Sequence, residues 1–70
     1  MSKVNVYLAD GFEEVEGLTV VDLLRRAGIE IDMVSIMGRK EITGARKIPV
    51  LADKLFEEQD DPDVIVLPGG

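Results

Sequence analysis

The chain has 70 residues, 14 acidic against 8 basic, for a formal net charge of −6, and it contains neither cysteine nor histidine. That size allows one small domain burying about 60% of its unfolded surface, with no disulfide or thiolate metal site to reinforce it. The acidic balance, without a continuous basic run, argues against nucleic acid or an anionic membrane as a partner.

Met1-Ser2-Lys3 leads directly into the first apolar segment without a signal-like region, and no apolar stretch is long enough to span a bilayer. The expected location is the cytoplasm, which the lack of cysteine fits.

Lys3 to Ala9, with Val4, Val6, Leu8 and Ala9 among few polar positions, reads as a strand covered on both faces, the habit of parallel sheets. Asp10-Gly11 stops it. Asp10 followed by Glu13 has the spacing of a capping box, and Glu13, Glu14 and Glu16 fall near the first turn of the following helix, where the helix dipole favours negative charge. Glu13 and Glu14 are read as solvated charges that match the dipole. Glu16 stands out because it lies one strand-to-helix turn beyond the carboxyl end of the strand, where open α/β sheets place ligands. A carboxyl partly buried there would have its ionisation opposed by desolvation and could donate a hydrogen bond to an adjacent anion.

From Glu13 to Ala27, Val15, Leu18, Val21 and Leu24, with Val20, Leu23 and Ala27, follow helical spacing, while Asp22, Arg25 and Arg26 occupy the remaining face. Asp22 and Arg26 are placed to pair, and Gly28 supplies a left-handed stop. Gly17 inside the helix marks either a close approach by another backbone or drift at a tolerated site. Glu30 to Met37 reads as a second strand, joined to the first as a right-handed βαβ unit and closed by Gly38, with Met33 and Met37 as core filling.

Arg39 to Lys47 carries Arg39, Lys40, Arg46 and Lys47 around Gly44 and reads as a short hairpin or irregular excursion. Its brief extended pieces are Glu41 to Thr43 and Ile48 to Leu51, the second confined to an edge or connection by Pro49. The loop is either solvated or presents Arg46 to an acidic surface on a partner subunit. Asp53 can cap a short helix through Lys54, Leu55 and Phe56, which dissolves into the acidic surface loop Glu57 to Pro62. Asp63 to Leu67 is then a continuous apolar strand ending on Pro68-Gly69-Gly70.

If that last strand lies on the side of the first strand opposite to the second, the sheet has a topological switch point, and Gly69 and Gly70 come alongside Glu16. Glycines there let backbone N–H groups approach an oxyanion, or they form a plain turn.

The residues Lys3-Val4-x-Val6-x-Leu8-Ala9-Asp10-Gly11-Phe12-Glu13-Glu14-Val15-Glu16, Val21-Asp22-Leu23-Leu24-Arg25-Arg26-Ala27-Gly28-Ile29 and Asp63-Val64-Ile65-Val66-Leu67-Pro68-Gly69-Gly70 resemble the amino-terminal part of the ThiJ/PfpI superfamily. The branch is that of the Parkinson-disease-associated protein deglycase and its thiazole-named bacterial relatives. The resemblance covers essentially the whole chain. It implies a flavodoxin-like α/β sandwich with a parallel sheet, here its amino-terminal half (β-α-β, short β pieces, a short α, β). It also implies a dimeric enzyme, of glyoxalase or deglycase type, that acts on reactive carbonyls such as methylglyoxal or on glycated substrates without a metal or organic cofactor. In that family a cysteine on a strained elbow is the nucleophile and a glutamate of the first helix hydrogen-bonds to it. Glu16 matches that glutamate, Gly69 and Gly70 match the loop whose amides face the oxyanion, and Asp22 and Arg46 match positions of the dimer surface.

The departure is the missing thiol. No carboxylate replaces a thiolate nucleophile, so residues 1–70 are expected to be half of such a domain, inert alone, and either to self-associate or to need the missing carboxyl-terminal half. Two other readings stay open: a half-domain that assembles with itself and has no enzymatic role, and a small carrier activated at a diglycine end.

Overall fold

The computed structural model describes residues 2–70; Met1, part of the lead-in to the first strand, lies outside them. The elements are β1 (Lys3–Leu8), α1 (Glu14–Arg26), β2 (Glu30–Ser35), β3 (Glu41–Thr43), β4 (Pro49–Leu51), β5 (Lys54–Leu55), a 3-10 turn (Phe56–Glu58) and β6 (Val64–Val66). Four strands form a parallel sheet in the order β5-β2-β1-β6, and β3 and β4 form a separate antiparallel pair. β2 and β6 therefore flank β1 on opposite sides. The expected parallel α/β arrangement and its switch point at β1 are both present.

Side chains of a strand alternate between faces, and β1 uses each face differently. Val4, Val6 and Leu8 are buried with Ile31 against Val21 of α1, with Leu18, Val20 and Leu24 packed on that cluster. The opposite face carries Lys3, Asn5 and Tyr7. The fully buried Asn5 Nδ2 donates to Gln59 Oε1 and to the Asp60 carbonyl, both at 3.1 Å, and the Tyr7 hydroxyl donates to the same Gln59 oxygen at 2.6 Å. The acidic segment after the 3-10 turn is thus more than a solvated loop, because it straps the polar face of the central strand. Beside the strap, Lys3 Nζ lies 2.6 Å from Asp32, and Lys54 Nζ bridges Asp32 at 3.1 Å and Asp60 at 2.7 Å.

α1 begins one residue later than expected. Its N-cap is Glu13, with no side-chain cap bond, and the Asp10–Glu13 capping box does not form. Asp10 is drawn away because its carboxylate accepts from the Thr43 amide at 3.1 Å and pairs with Arg39. The far end follows expectation: Gly28 has φ +78, and Asp22 and Arg26 pair at 2.9 Å. The apolar set on α1 is wider than its buried stripe, since Val15 and Leu23 are exposed.

β2 ends at Ser35, two residues short of Met37. The Ser35 hydroxyl donates to the Arg39 carbonyl and accepts from the Met37 amide, folding the chain into a turn that leaves Ile36 and Met37 exposed. Met37 is therefore not core filling, whereas Met33 packs on the core.

The hairpin is β3 with β4, and Pro49 begins β4 rather than interrupting it. Ile42 is 0% exposed and belongs to the main core, so the hairpin is anchored and not an excursion. The helix expected over Lys54 to Phe56 is absent. Lys54 and Leu55 instead pair in parallel with Val34 and Ser35, and only a single 3-10 turn follows. Asp53 caps nothing: its Oδ2 accepts from the Met33 amide at 2.8 Å and from Arg25 Nη2 at 2.7 Å, tying α1 to β2. β6 is a short edge strand whose outer side leaves Ile65 and Leu67 exposed.

Candidate functional site

The carboxyl ends of β1 and β6 meet the opening of α1. After Leu8 the chain turns through Gly11, whose φ of +88 is a conformation that side-chain-bearing residues rarely adopt. The turn is held because the Gly11 amide donates to the Thr43 carbonyl at 2.8 Å and the Phe12 amide to the Ala9 carbonyl at 3.2 Å. Phe12 is buried under α1, and a Cβ at Gly17 would stand 3.0 Å from its ring and 3.3 Å from Pro68. Gly17 thus marks a close approach, by side chains and not by a second backbone.

The segment after β6 then clasps α1 twice. The Glu13 amide donates to the Gly69 carbonyl at 2.6 Å, and the Gly69 amide donates to Glu16 Oε1 at 2.9 Å. A Cβ at Gly69 would lie 2.9 Å from Glu16 Oε1, and one at Gly70 would overlap the Gly11 carbonyl. Beside the clasp is an open depression of about 260 Å³, lined by Ala9, Asp10, Phe12, Ile36, Leu67 and Gly70 among others.

Three of the residues singled out in the sequence, Glu16, Gly69 and Gly70, therefore come together at the switch point, across more than fifty positions of sequence. Glu16 is exposed, so the partial burial expected of it is not met here. The Gly69 amide, expected to face an oxyanion, faces a carboxylate of the chain itself, which is the same recognition of an anionic oxygen by a backbone N–H. Asp22 and Arg46 are not joined to this group or to each other. Asp22 pairs with Arg26, and the Arg46 side chain, 71% exposed, reaches Glu13 at 3.9 Å. Among the described residues no group of three or more acidic, histidine or cysteine side chains could hold a metal ion.

The buried carboxylate is Glu14, not Glu16. Glu14 is 5% exposed, and its Oε2 accepts from the Arg46 amide at 2.8 Å and the Ile48 amide at 3.4 Å, while its buried Oε1 has no partner among the described residues. Burial opposes its ionisation. The opposing effects are larger together: backbone N–H groups, including those of Arg46 and Ile48, and the Arg46 charge hold its carboxyl below the usual range. Asp10 is also held low, chiefly by the Thr43 N–H and then by Arg39. The reading of Glu14 as solvated decoration is thus overturned. A signal was present in the spacing, because positions 14, 17, 18 and 21 form one helical stripe and the other three are Gly17, Leu18 and Val21.

The comparisons agree with this architecture. A family model described as the DJ-1/PfpI family matches residues 2–70. The Parkinson disease protein 7 homolog of Danio rerio is 37% identical over 68 residues, which cover 93% of this chain and 36% of that protein. A deglycase of Thermococcus kodakarensis is 37% identical over 70 residues, 97% of this chain and 42% of that one. Among solved structures, a mutant of a DJ-1 superfamily protein from Salmonella typhimurium superposes with a TM-score of 0.95 at 39% identity, over 100% of this chain and 39% of that one. The chain thus spans less than half the length of each of these relatives.

Proposed function

Because this chain belongs to the DJ-1/PfpI family, we propose that it forms the amino-terminal half of a ThiJ/PfpI-like domain that acts on reactive carbonyls or glycated substrates. The chemistry is of glyoxalase or deglycase type and depends on a cysteine that is not among these 70 residues. The observation that carries this reading is the Glu16–Gly69 contact of 2.9 Å at the switch point, the place where open α/β sheets bind ligands. One of the similar proteins is itself a deglycase.

In this reading Glu16 is the carboxyl that hydrogen-bonds to the thiol, held in place by the Gly69 amide. The Gly69 amide is engaged by Glu16, so the N–H offered to the reacting oxygen is that of Gly70, and the backbone comes close there because neither residue carries a Cβ. Both carbonyl attack and its reversal build negative charge on oxygen, and fixed N–H groups stabilise that charge without reorganising. The residues present supply orientation and charge stabilisation but no nucleophile, so the chain alone is inert. Asp22 on α1 and Arg46 in the β3–β4 loop, both charged and exposed, belong to a surface that meets a second subunit.

The test mixes the 70-residue chain with a separately produced carboxyl-terminal part of the Thermococcus kodakarensis deglycase and follows methylglyoxal consumption. Activity is expected only in the mixture, and Glu16→Gln should lower it by about 10²-fold or more. Turnover by the chain alone, or an active mixture indifferent to Glu16→Gln, would overturn the assignment.

A further inference from the structure

We infer that Glu14 is a positioning residue for Glu16: by seating the first turn of α1 on the hairpin loop, it holds Glu16 against Gly69. The inference rests on the reading of the Glu16–Gly69 pair given above and deepens it.

Glu14 and Glu16 are two residues apart, about 200° round the helix axis. They therefore grip different neighbours. Glu14 reaches the Gly44–Ile48 loop through the Arg46 and Ile48 amides, and Glu16 reaches the Gly69 amide. The backbone repeats the pattern, since the Ala45 amide donates to the Phe12 carbonyl at 2.8 Å and the Glu13 amide to the Gly69 carbonyl at 2.6 Å. The opening turn of α1 is thus clamped between two loops that are remote in sequence. Because a helix transmits rotation rigidly over so few residues, loosening one side moves the other.

Packing alone does not explain a glutamate at position 14. The stripe it shares with Leu18 and Val21 would accept an apolar side chain, and the unpartnered Oε1 is costly in a buried setting. What an apolar residue cannot do is accept from two amides of the loop. The loop is shaped to match, because a Cβ at Gly44 would overlap the Glu14 carboxyl. The loop therefore closes over the carboxylate only with glycine at that position.

The experiment is amide hydrogen exchange, read by NMR on the 70-residue chain, in Glu14→Ala, Glu14→Gln and Gly44→Ala. Glu14→Ala removes the acceptor, Glu14→Gln keeps one, and Gly44→Ala displaces the carboxylate without altering it. In Glu14→Ala and Gly44→Ala, protection of the Arg46 and Gly69 amides should fall together by about tenfold, the effect of losing a hydrogen bond to a charged group. The β1–β2 ladder at Tyr7 and Val34 should keep its protection, and Glu14→Gln should restore most of that of Gly69. A purely structural role would lower all protection together and would overturn the inference. So would loss at Arg46 with Gly69 unchanged, which would confine Glu14 to holding the loop. A Gly69 amide unprotected in the unaltered chain would refute the Glu16–Gly69 pair as well, and is recognised because it needs no variant. If Glu14→Ala does not fold, Gly44→Ala and Glu14→Gln carry the comparison.

Discussion

Replacing Ile42 tests whether the hairpin is part of the core. Ile42 is 0% exposed and clusters with Val4, Val6, Leu8 and Phe12, although β3 has only three residues and its single strand partner is β4. Ile42→Ala deletes three buried carbons at about 0.8 kcal/mol each, near 2.4 kcal/mol, and the cavity raises the cost to about 3–4 kcal/mol. A domain of 70 residues, at about 0.05–0.15 kcal/mol per residue, has roughly 4–10 kcal/mol in all. Ile42→Ala thus removes much of the stability, and Ile42→Val, at about 1 kcal/mol, keeps the measurement in range. Urea unfolding followed by far-UV circular dichroism gives both values. Leu51→Ala on the partner strand is the control, because Leu51 is 64% exposed and its truncation should cost no more than about 0.5 kcal/mol. If Ile42→Ala costs under about 1 kcal/mol, or no more than Leu51→Ala, the hairpin is a detachable excursion and the core assignment fails.

Gly17→Ala should destabilise, because the added Cβ lies 3.0 Å from the buried Phe12 ring. Overpacking of about 1–3 kcal/mol exceeds the helix-propensity gain of about 1 kcal/mol; a variant more stable in urea would show that Phe12 slides aside. Asp10, Asp32 and Asp60 are held below the ordinary aspartate value of 3.8, Asp32 because the Lys3 and Lys54 contacts outweigh its burial and Asp60 mainly through Lys54. Folded carboxyl values below the unfolded ones stabilise above the unfolded value, and that stability is lost as pH falls through the folded ones. Lys3 and Lys54 are raised above 10.5, chiefly by hydrogen bonds to Asp32 and Asp60 respectively, so their contribution is full below 10.5 and fades as pH rises through the folded values. Thermal melts across pH should show a plateau between about pH 5 and 10, with a decline on the acid side that is shallower in Asp32→Asn. An acid limb equally steep in that variant would remove Asp32 from the account.

How much was legible in the sequence depends on how far away each residue's partner lies. β1, the extent of α1 to within a residue, the Gly28 stop and the Asp22–Arg26 pair were readable because alternation, helical spacing and i,i+4 pairing are local. The switch point, and with it the neighbourhood of Glu16, Gly69 and Gly70, was legible only on condition that the last strand lies opposite to the second, and the sheet order β5-β2-β1-β6 meets that condition. Lys54 and Leu55 read locally as the start of a helix, because their strand character comes only from pairing with Val34 and Ser35, twenty positions back. Asp10 and Asp53 looked like caps because a cap is the nearest use for such a residue, while the amides of Thr43 and Met33 compete for them only once the chain has folded.

The division is clearest at Glu14 and Glu16. The sequence alone placed both at the opening of a helix beside the end of a strand, since that needs only pattern and spacing. Which one is buried was decided by the hairpin loop arriving over Glu14 and the glycine segment over Glu16. The burial and ionisation of Glu14 are set by the dipoles and charges around it, and these include the Arg46 and Ile48 amides, more than thirty positions away, which only the tertiary structure brings near.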